Sequence, residues 1–161
     1  MTTFVFTETV PNQLESAALG ANSGGKFVSA DLNKAVKLGT ANNFVLATNG
    51  DEIDGFVKAI EPFTVNDGFS FGGVQREGRV SAVVGANQVS TMAVGDYVVA
   101  DTQVALGTAG AAKVRTGTAF AQSGTTPFGV TNSTPARALW RCIRIVSGTG
   151  AAGDPVILER V

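Results

Sequence analysis

The chain carries thirteen aspartates and glutamates and one cysteine but no histidine, so the commonest general base is missing from any side-chain chemistry. The densest acidic group is Asp51, Glu52 and Asp54, within "GDEIDG" at residues 50–55. Such a cluster offers the oxygen ligands that calcium or magnesium takes. It lacks the even ligand spacing and the following glutamate of an EF-hand loop. A glycosidase pair needs two carboxylates fixed across a sugar cleft. Asp67, Asp96, Asp101 and Asp154 each stand in turn-like sequence, and nothing in their spacing sets two of them face to face. Without histidine, Ser-His-Asp and Cys-His arrangements cannot form, nor can a zinc site of Cys and His ligands. Cys142 has no partner for a disulfide and sits among Trp140, Ile143 and Ile145, which marks a buried structural thiol of the kind found in a reducing compartment.

Two glycine-rich stretches are candidates for phosphate cradles. "GTAGAAKV", residues 107–114, has spaced glycines and Lys113, but no Gly-Lys-Ser/Thr opening a helix, so it is not a P-loop. "GTGAAG", residues 148–153, matches part of a dinucleotide-binding pattern, yet no βαβ unit can follow it. More regular is a Gly-Asp pair ahead of an apolar run, in "MAVGDYVVAD", "AAGDPVILER" and, more loosely, "TNGDEIDGFVKAI". Glycine allows a positive φ, and aspartate accepts hydrogen bonds from backbone N–H groups one or two residues on. The pairs therefore read as turns that launch strands, with no cofactor or metal expected.

Positioning these residues falls to short strands. The 161 residues carry a net charge of −1, with 44% hydrophobic and 16% charged residues, which suits one ordered, turn-rich β domain with a weakly charged surface. "TTFVFTETVP" reads as a strand or extended arm, and "NQLESAAL", residues 12–19, as a short helical turn with Asn12 as N-cap and Glu15 three residues on. Residues 1–24 then form an extended N-terminal arm or first strand with that turn, and 25–161 a single β domain. "KAVKLG" pairs with "NFVLATNGD" across "TANN". "DGFVKAIE" and "DYVVADTQ" follow as strands, with turns at 66–68, 72–73 and 77–78. Residues 107–138 form a long loop or loose hairpin, and "ALWRCIRIVSGTG" and "DPVILERV" close the domain, with Pro155 at a strand's first position where a missing donor is tolerated. About eight to ten such strands without helices between them predict an all-β, compact β-barrel or β-sandwich. Strict alternation puts Trp140, Cys142, Arg144 and Val146 on one face and Arg141, Ile143 and Ile145 on the other. In "GFVKAIE" neither face is polar, so both are covered or lie at an interface.

Charge narrows the partners. Arg137, Arg141 and Arg144 are the closest basic grouping, too thin for a nucleic-acid site, so no nucleic acid is expected. No apolar stretch reaches the length of a membrane span and the N-terminus lacks a secretory pattern, so no membrane is expected and synthesis in the host cytoplasm is. Phe63, Phe69, Phe71, Tyr97 and Trp140 are the aromatics that could stack on a sugar ring.

Two stretches carry a resemblance. "MAVGDYVVADTQVALGTAGAAKV" and "FGVTNSTPARALWRCIRIVSGTGAAGDPVILERV" resemble the head decoration, or cement, proteins of tailed bacteriophages, a likeness of pattern and composition over residues 14–161. Folds in that group vary among β-barrels, jelly-rolls and β-tulip-like domains, so the resemblance chooses none of them; it implies location on the virion capsid surface, and binding to the major capsid protein as a dimer or trimer that locks neighbouring subunits. An enzyme is not expected. The partner interface is placed on Phe4, Val5 and Phe6, as strand-adding anchors of the arm, and on Arg137 and Arg141. A tail or fibre component and a carbohydrate-binding or adhesin-like module are the alternatives.

Overall fold

The computed structural model describes residues 14–20, 26–41, 43–62, 70–117 and 139–161. Within them the chain is all-β, ten strands and one 3₁₀ turn at Ser29–Asp31. The strands are β1 (Leu14–Ala18), β2 (Ala35–Leu38), β3 (Phe44–Leu46), β4 (Gly55–Ile60), β5 (Phe71–Gln75), β6 (Arg79–Val84), β7 (Tyr97–Ala100), β8 (Lys113–Thr116), β9 (Trp140–Ile145) and β10 (Pro155–Arg160). They form a five-stranded sheet, in the order β1-β5-β4-β2-β3, and a closed barrel, in the order β10-β6-β8-β7-β9.

The barrel interior is filled by alternate residues, as a barrel this narrow requires. Val80, Ala82 and Val84 of β6, Val98 and Ala100 of β7, Val114, Trp140, Cys142, Val156 and Leu158 are buried together. Alanines stand opposite larger side chains, Ala82 against Val156 and Ala100 against Val114, which suits the small cross-section. The sheet curls enough for its outer strands to meet: Leu19, just past β1, bridges Phe44 of β3. Inside that curl lies a second core of Leu19, Phe27, Val36, Phe44, Val57 and Val74. The central strands β2 and β4 serve both cores. Ala35 and Phe56 face the barrel, while Val36 and Val57 face the second core, so both sides of "GFV" are covered, whereas Ala59 and Glu61 further along are exposed.

Three sequence expectations change. Leu14–Ala18 is a strand, not a helical turn. Its partner β5 runs antiparallel from Leu14↔Gln75 to Ala18↔Phe71, and tertiary pairing overrides a helix signal only a turn or two long. Gly72 and Gly73 lie inside β5, not in a turn; a Cβ on Gly72 would overlap the Ala59 carbonyl, so the glycine admits β4 at close range. Lys113–Thr116, expected in a loop or loose hairpin, is a barrel strand that runs parallel to β6 and antiparallel to β7. The β2–β3 hairpin, the β9–β10 pair and Pro155 at the head of β10 are as expected.

The Gly-Asp pairs are one device used three times. Gly50, Gly95 and Gly153 have φ of 88°, 101° and 97°. In each turn the Asp N–H donates to the carbonyl three residues back: Asp51 to Thr48 (3.0 Å), Asp96 to Ala93 (3.2 Å) and Asp154 to Ala151 (3.0 Å). The carboxylate returns to the same residue, accepting from the N–H of Thr48 (2.7 Å), Ala93 (2.8 Å) and Ala151 (2.9 Å). The aspartate therefore reaches backward by three residues rather than forward by one or two, because the positive-φ glycine folds the chain back over its carboxylate. Each pair also docks on a buried barrel residue. Gly50 N–H donates to the Ala100 carbonyl and Ala100 N–H to that of Asp51, both 2.9 Å. The same two bonds join Gly95 and Asp96 to Cys142 (2.7 and 2.8 Å), and Gly153 and Asp154 to Val84 (2.8 and 2.9 Å).

A fourth aspartate works without glycine. Asp31 is buried, and its carboxylate accepts from Val28 N–H (2.8 Å), Gly107 N–H (2.8 Å) and the Lys34 ammonium (2.5 Å). Lys34, equally buried, also donates to the Ala105 carbonyl at 2.6 Å. This ion pair clamps the loop between β7 and β8 onto the 3₁₀ turn.

Candidate interaction face on the barrel

The glycine-rich segment before β10 does form a ring of inward N–H groups, the arrangement that holds anions elsewhere. Its occupant is the chain's own carboxylate. Asp154 Oδ2 accepts from Thr149, Gly150 and Ala151 N–H groups at 2.8, 2.9 and 2.9 Å. The "GDEIDG" cluster is likewise divided between separate structural tasks. Asp51 pairs with Lys37 at 2.7 Å, and Asp54 accepts from Leu38 N–H at 2.7 Å. Burial alone would raise the Asp51 pKa, but bonds from Lys37 and from the Thr48 hydroxyl and N–H outweigh it and hold the carboxyl below its ordinary value. Asp101 is held low in the same way: burial opposes, and donors from Asn87 and Thr102 prevail. Among the described residues no group of three or more Cys, Asp and Glu side chains is placed to hold a metal ion. Nor is any helix among them long and apolar enough to cross a membrane.

Cys142 points into the barrel core, and burial raises its thiol pKa, with Asp96 adding to the rise against one bond to the Arg144 carbonyl. Trp140 is buried too. Its indole N–H donates to the Ile53 carbonyl at 3.1 Å, so it is a core residue and offers no face to a sugar. Phe63 and Phe69 lie outside the described residues, as do Phe4, Val5, Phe6 and Arg137.

Arg141 is on the outer wall of the barrel, beside a feature that alternation did not foresee. Against β10, Arg141 stands opposite Glu159 and Cys142 opposite Leu158; the register then slips, with Arg144 opposite Ile157 and Ile145 opposite Val156. Ile143 is the extra residue of a β-bulge. Beyond it the two-residue period resumes out of phase, so Ile145 packs against the barrel core and Arg144 is turned outward. Strict alternation had set Arg141 and Arg144 on opposite faces; the bulge puts both on one. The "WRCIRI" spacing, with polar residues three apart, is the trace of this bulge in the sequence.

Around these arginines the outer wall is ordered. Tyr97 of β7 pairs with Arg141, Arg141 with Glu159, and Glu159 with Arg79, so four strands contribute one row of side chains. Within it Arg79 Nε lies 3.1 Å from Glu159 Oε1. Among the described residues the Arg141 and Arg144 guanidinium groups make no hydrogen bond or ion pair with protein groups. Tyr97 is 39% exposed, Val94 of the adjoining Gly-Asp turn 62%, and Val146 at the end of β9 47%. A tyrosine, two arginines and flanking aliphatics match the composition enriched at protein interfaces.

Comparison of the chain with protein-family models, with curated proteins and with solved structures finds no match.

Proposed function

We propose that this chain is a non-enzymatic virion structural protein. It sits on the outer capsid surface of a tailed bacteriophage and bridges major capsid protein subunits, associating with itself as a dimer or trimer. The reading starts from the resemblance carried by residues 92–114 and 128–161. One observation supports it above others. Among the described residues, the carboxylates of Glu15, Asp31, Asp51, Asp54, Asp96, Asp101, Asp154 and Glu159 are all engaged within the molecule. Aspartates at 31, 51, 54, 96, 101 and 154 all accept backbone N–H groups. Acids used in this way brace turns, which is what a rigid adhesive body needs, and its work then falls to its surfaces.

The test is co-sedimentation of the purified protein with expanded empty capsids of its phage, together with the heat stability of those capsids. Binding accompanied by a higher capsid melting temperature is expected. No co-sedimentation and no gain in heat stability would sink the proposal.

A further inference from the structure

We infer that the outer face of β9, centred on Arg141 and Arg144, is the surface that docks an acidic strip of the partner protein. The inference rests on the proposed capsid-binding role and specifies the side of the molecule that performs it. Three observations carry it. First, the bulge at Ile143 costs one residue of regular pairing and brings two cationic side chains to the same face. Second, among the described residues neither guanidinium has a protein partner, whereas Arg76, Arg79, Arg115 and Arg160 each donate to a protein oxygen. Third, exposed Tyr97, Val94 and Val146 border the arginines, giving an apolar margin that can exclude water from the charge pairs.

The charge decides the occupant. A planar guanidinium takes a carboxylate through two parallel hydrogen bonds, so two of them along one strand fit carboxylates displayed along a protein surface. A second copy of this chain fits poorly, because most of its described carboxylates are already engaged in its own turns and ion pairs. Glu159 lies between Arg141 and Arg79 in the row, whereas Arg144 stands opposite Ile157, with no acid across from it.

The experiment compares the wild-type chain with Arg141→Glu/Arg144→Glu and with Arg141→Lys/Arg144→Lys in capsid co-sedimentation, at about 0.05 M and about 0.5 M salt. Circular dichroism and thermal melting check that each variant folds. The single variant Arg144→Glu, at an exposed site, serves if the double variant does not fold. The expected result is a loss of affinity of about tenfold or more for the glutamate variant, a partial loss for the lysine variant, and wild-type binding that weakens with salt. Wild-type binding matched by a folded glutamate variant would overturn the docking face and leave the capsid role standing. Failure of the wild-type chain itself to bind would overturn both. Arginine-dependent capture by heparin or single-stranded DNA, tighter than capsid binding, would overturn the assignment to a protein partner. Arginine-dependent self-association without capsids would show that the occupant is a second copy instead.

Discussion

The ring of Trp140 meets that of Phe56 edge to face, with centroids 5.0 Å apart and planes at 89°. The two residues belong to different sheets, Trp140 to the barrel and Phe56 to β4, and both are buried. Together with the Trp140 bond to the Ile53 carbonyl, this contact ties the barrel to the curled sheet. Trp140→Ala is therefore expected to destabilise the fold by about 3–5 kcal/mol, and Trp140→Phe by less, since it keeps an aromatic partner but loses the indole donor. Urea denaturation followed by circular dichroism measures both. A Trp140→Ala loss below about 1 kcal/mol would contradict the role given to this contact.

The Gly-Asp turns differ in how many donors their carboxylates hold. Asp154 collects three backbone N–H groups and Asp96 one. Asp154→Ala leaves more donors unpaired and is expected to cost about 2–4 kcal/mol, against about 1 kcal/mol for Asp96→Ala. The reverse order in denaturation midpoints would refute this ranking. At Gly95 the space for a side chain is open while φ is 101°, so Gly95→Ala tests backbone strain alone, at about 1 kcal/mol.

Removing one half of the Asp31–Lys34 pair strands a buried charge. Lys34→Met is expected to destabilise by about 3–5 kcal/mol, with Asp31→Leu/Lys34→Met less damaging than the sum of its parts. The loop that the pair clamps should loosen with it. Hydrogen exchange at the Gly107 amide, which donates to Asp31 in the native protein, is expected to quicken in Lys34→Met more than exchange at Val98 in the barrel.

Acid should weaken the protein through Asp51 and Asp101. Their folded pKa values lie below the ordinary aspartate value, so the stability they add is present above about pH 4, the unfolded range, and is lost as pH falls through the folded values. Denaturation midpoints are expected to hold near neutrality and fall below about pH 4. The fall should be shallower in Asp51→Asn; an equally steep fall would remove Asp51 from the account.

Cys142 should be inert. A thiol that is buried in the barrel core, with its pKa raised, presents neither thiolate nor access to a reagent. Reaction with a thiol-specific disulfide reagent is expected only at the rate of unfolding, rising sharply in denaturant. Fast labelling of the native protein would mean that the barrel opens near β9.

Much of the fold is readable in the residue order, because β-hairpins, turn chemistry and capping are local. The β2–β3 hairpin, the β9–β10 pair, Pro155 at the head of its strand and the three Gly-Asp turns all rest on neighbours within a few positions, and each stands where the order of residue types puts it. The pattern of "GFVKAIE" leaves two readings, covered faces or an interface, and the two cores decide for covered faces only at Phe56 and Val57.

What depends on distant partners was decided only in three dimensions. "NQLESAAL" carries a weak helix signal, and β5, some sixty positions away, makes Leu14–Ala18 a strand. Gly72 and Gly73 look like a turn until β4 passes close against them. The proposed docking face is the sharpest case. Residue order determines that Arg141 and Arg144 are three apart, which in regular pairing separates them onto opposite sides of a sheet. Pairing with β10 decides otherwise, because Leu158 and Val156 stand two positions apart and both bury themselves in the barrel, while their partners on β9, Cys142 and Ile145, stand three positions apart. Burying both pairs forces one residue, Ile143, out of register, and that displacement sets the two arginines on the same face.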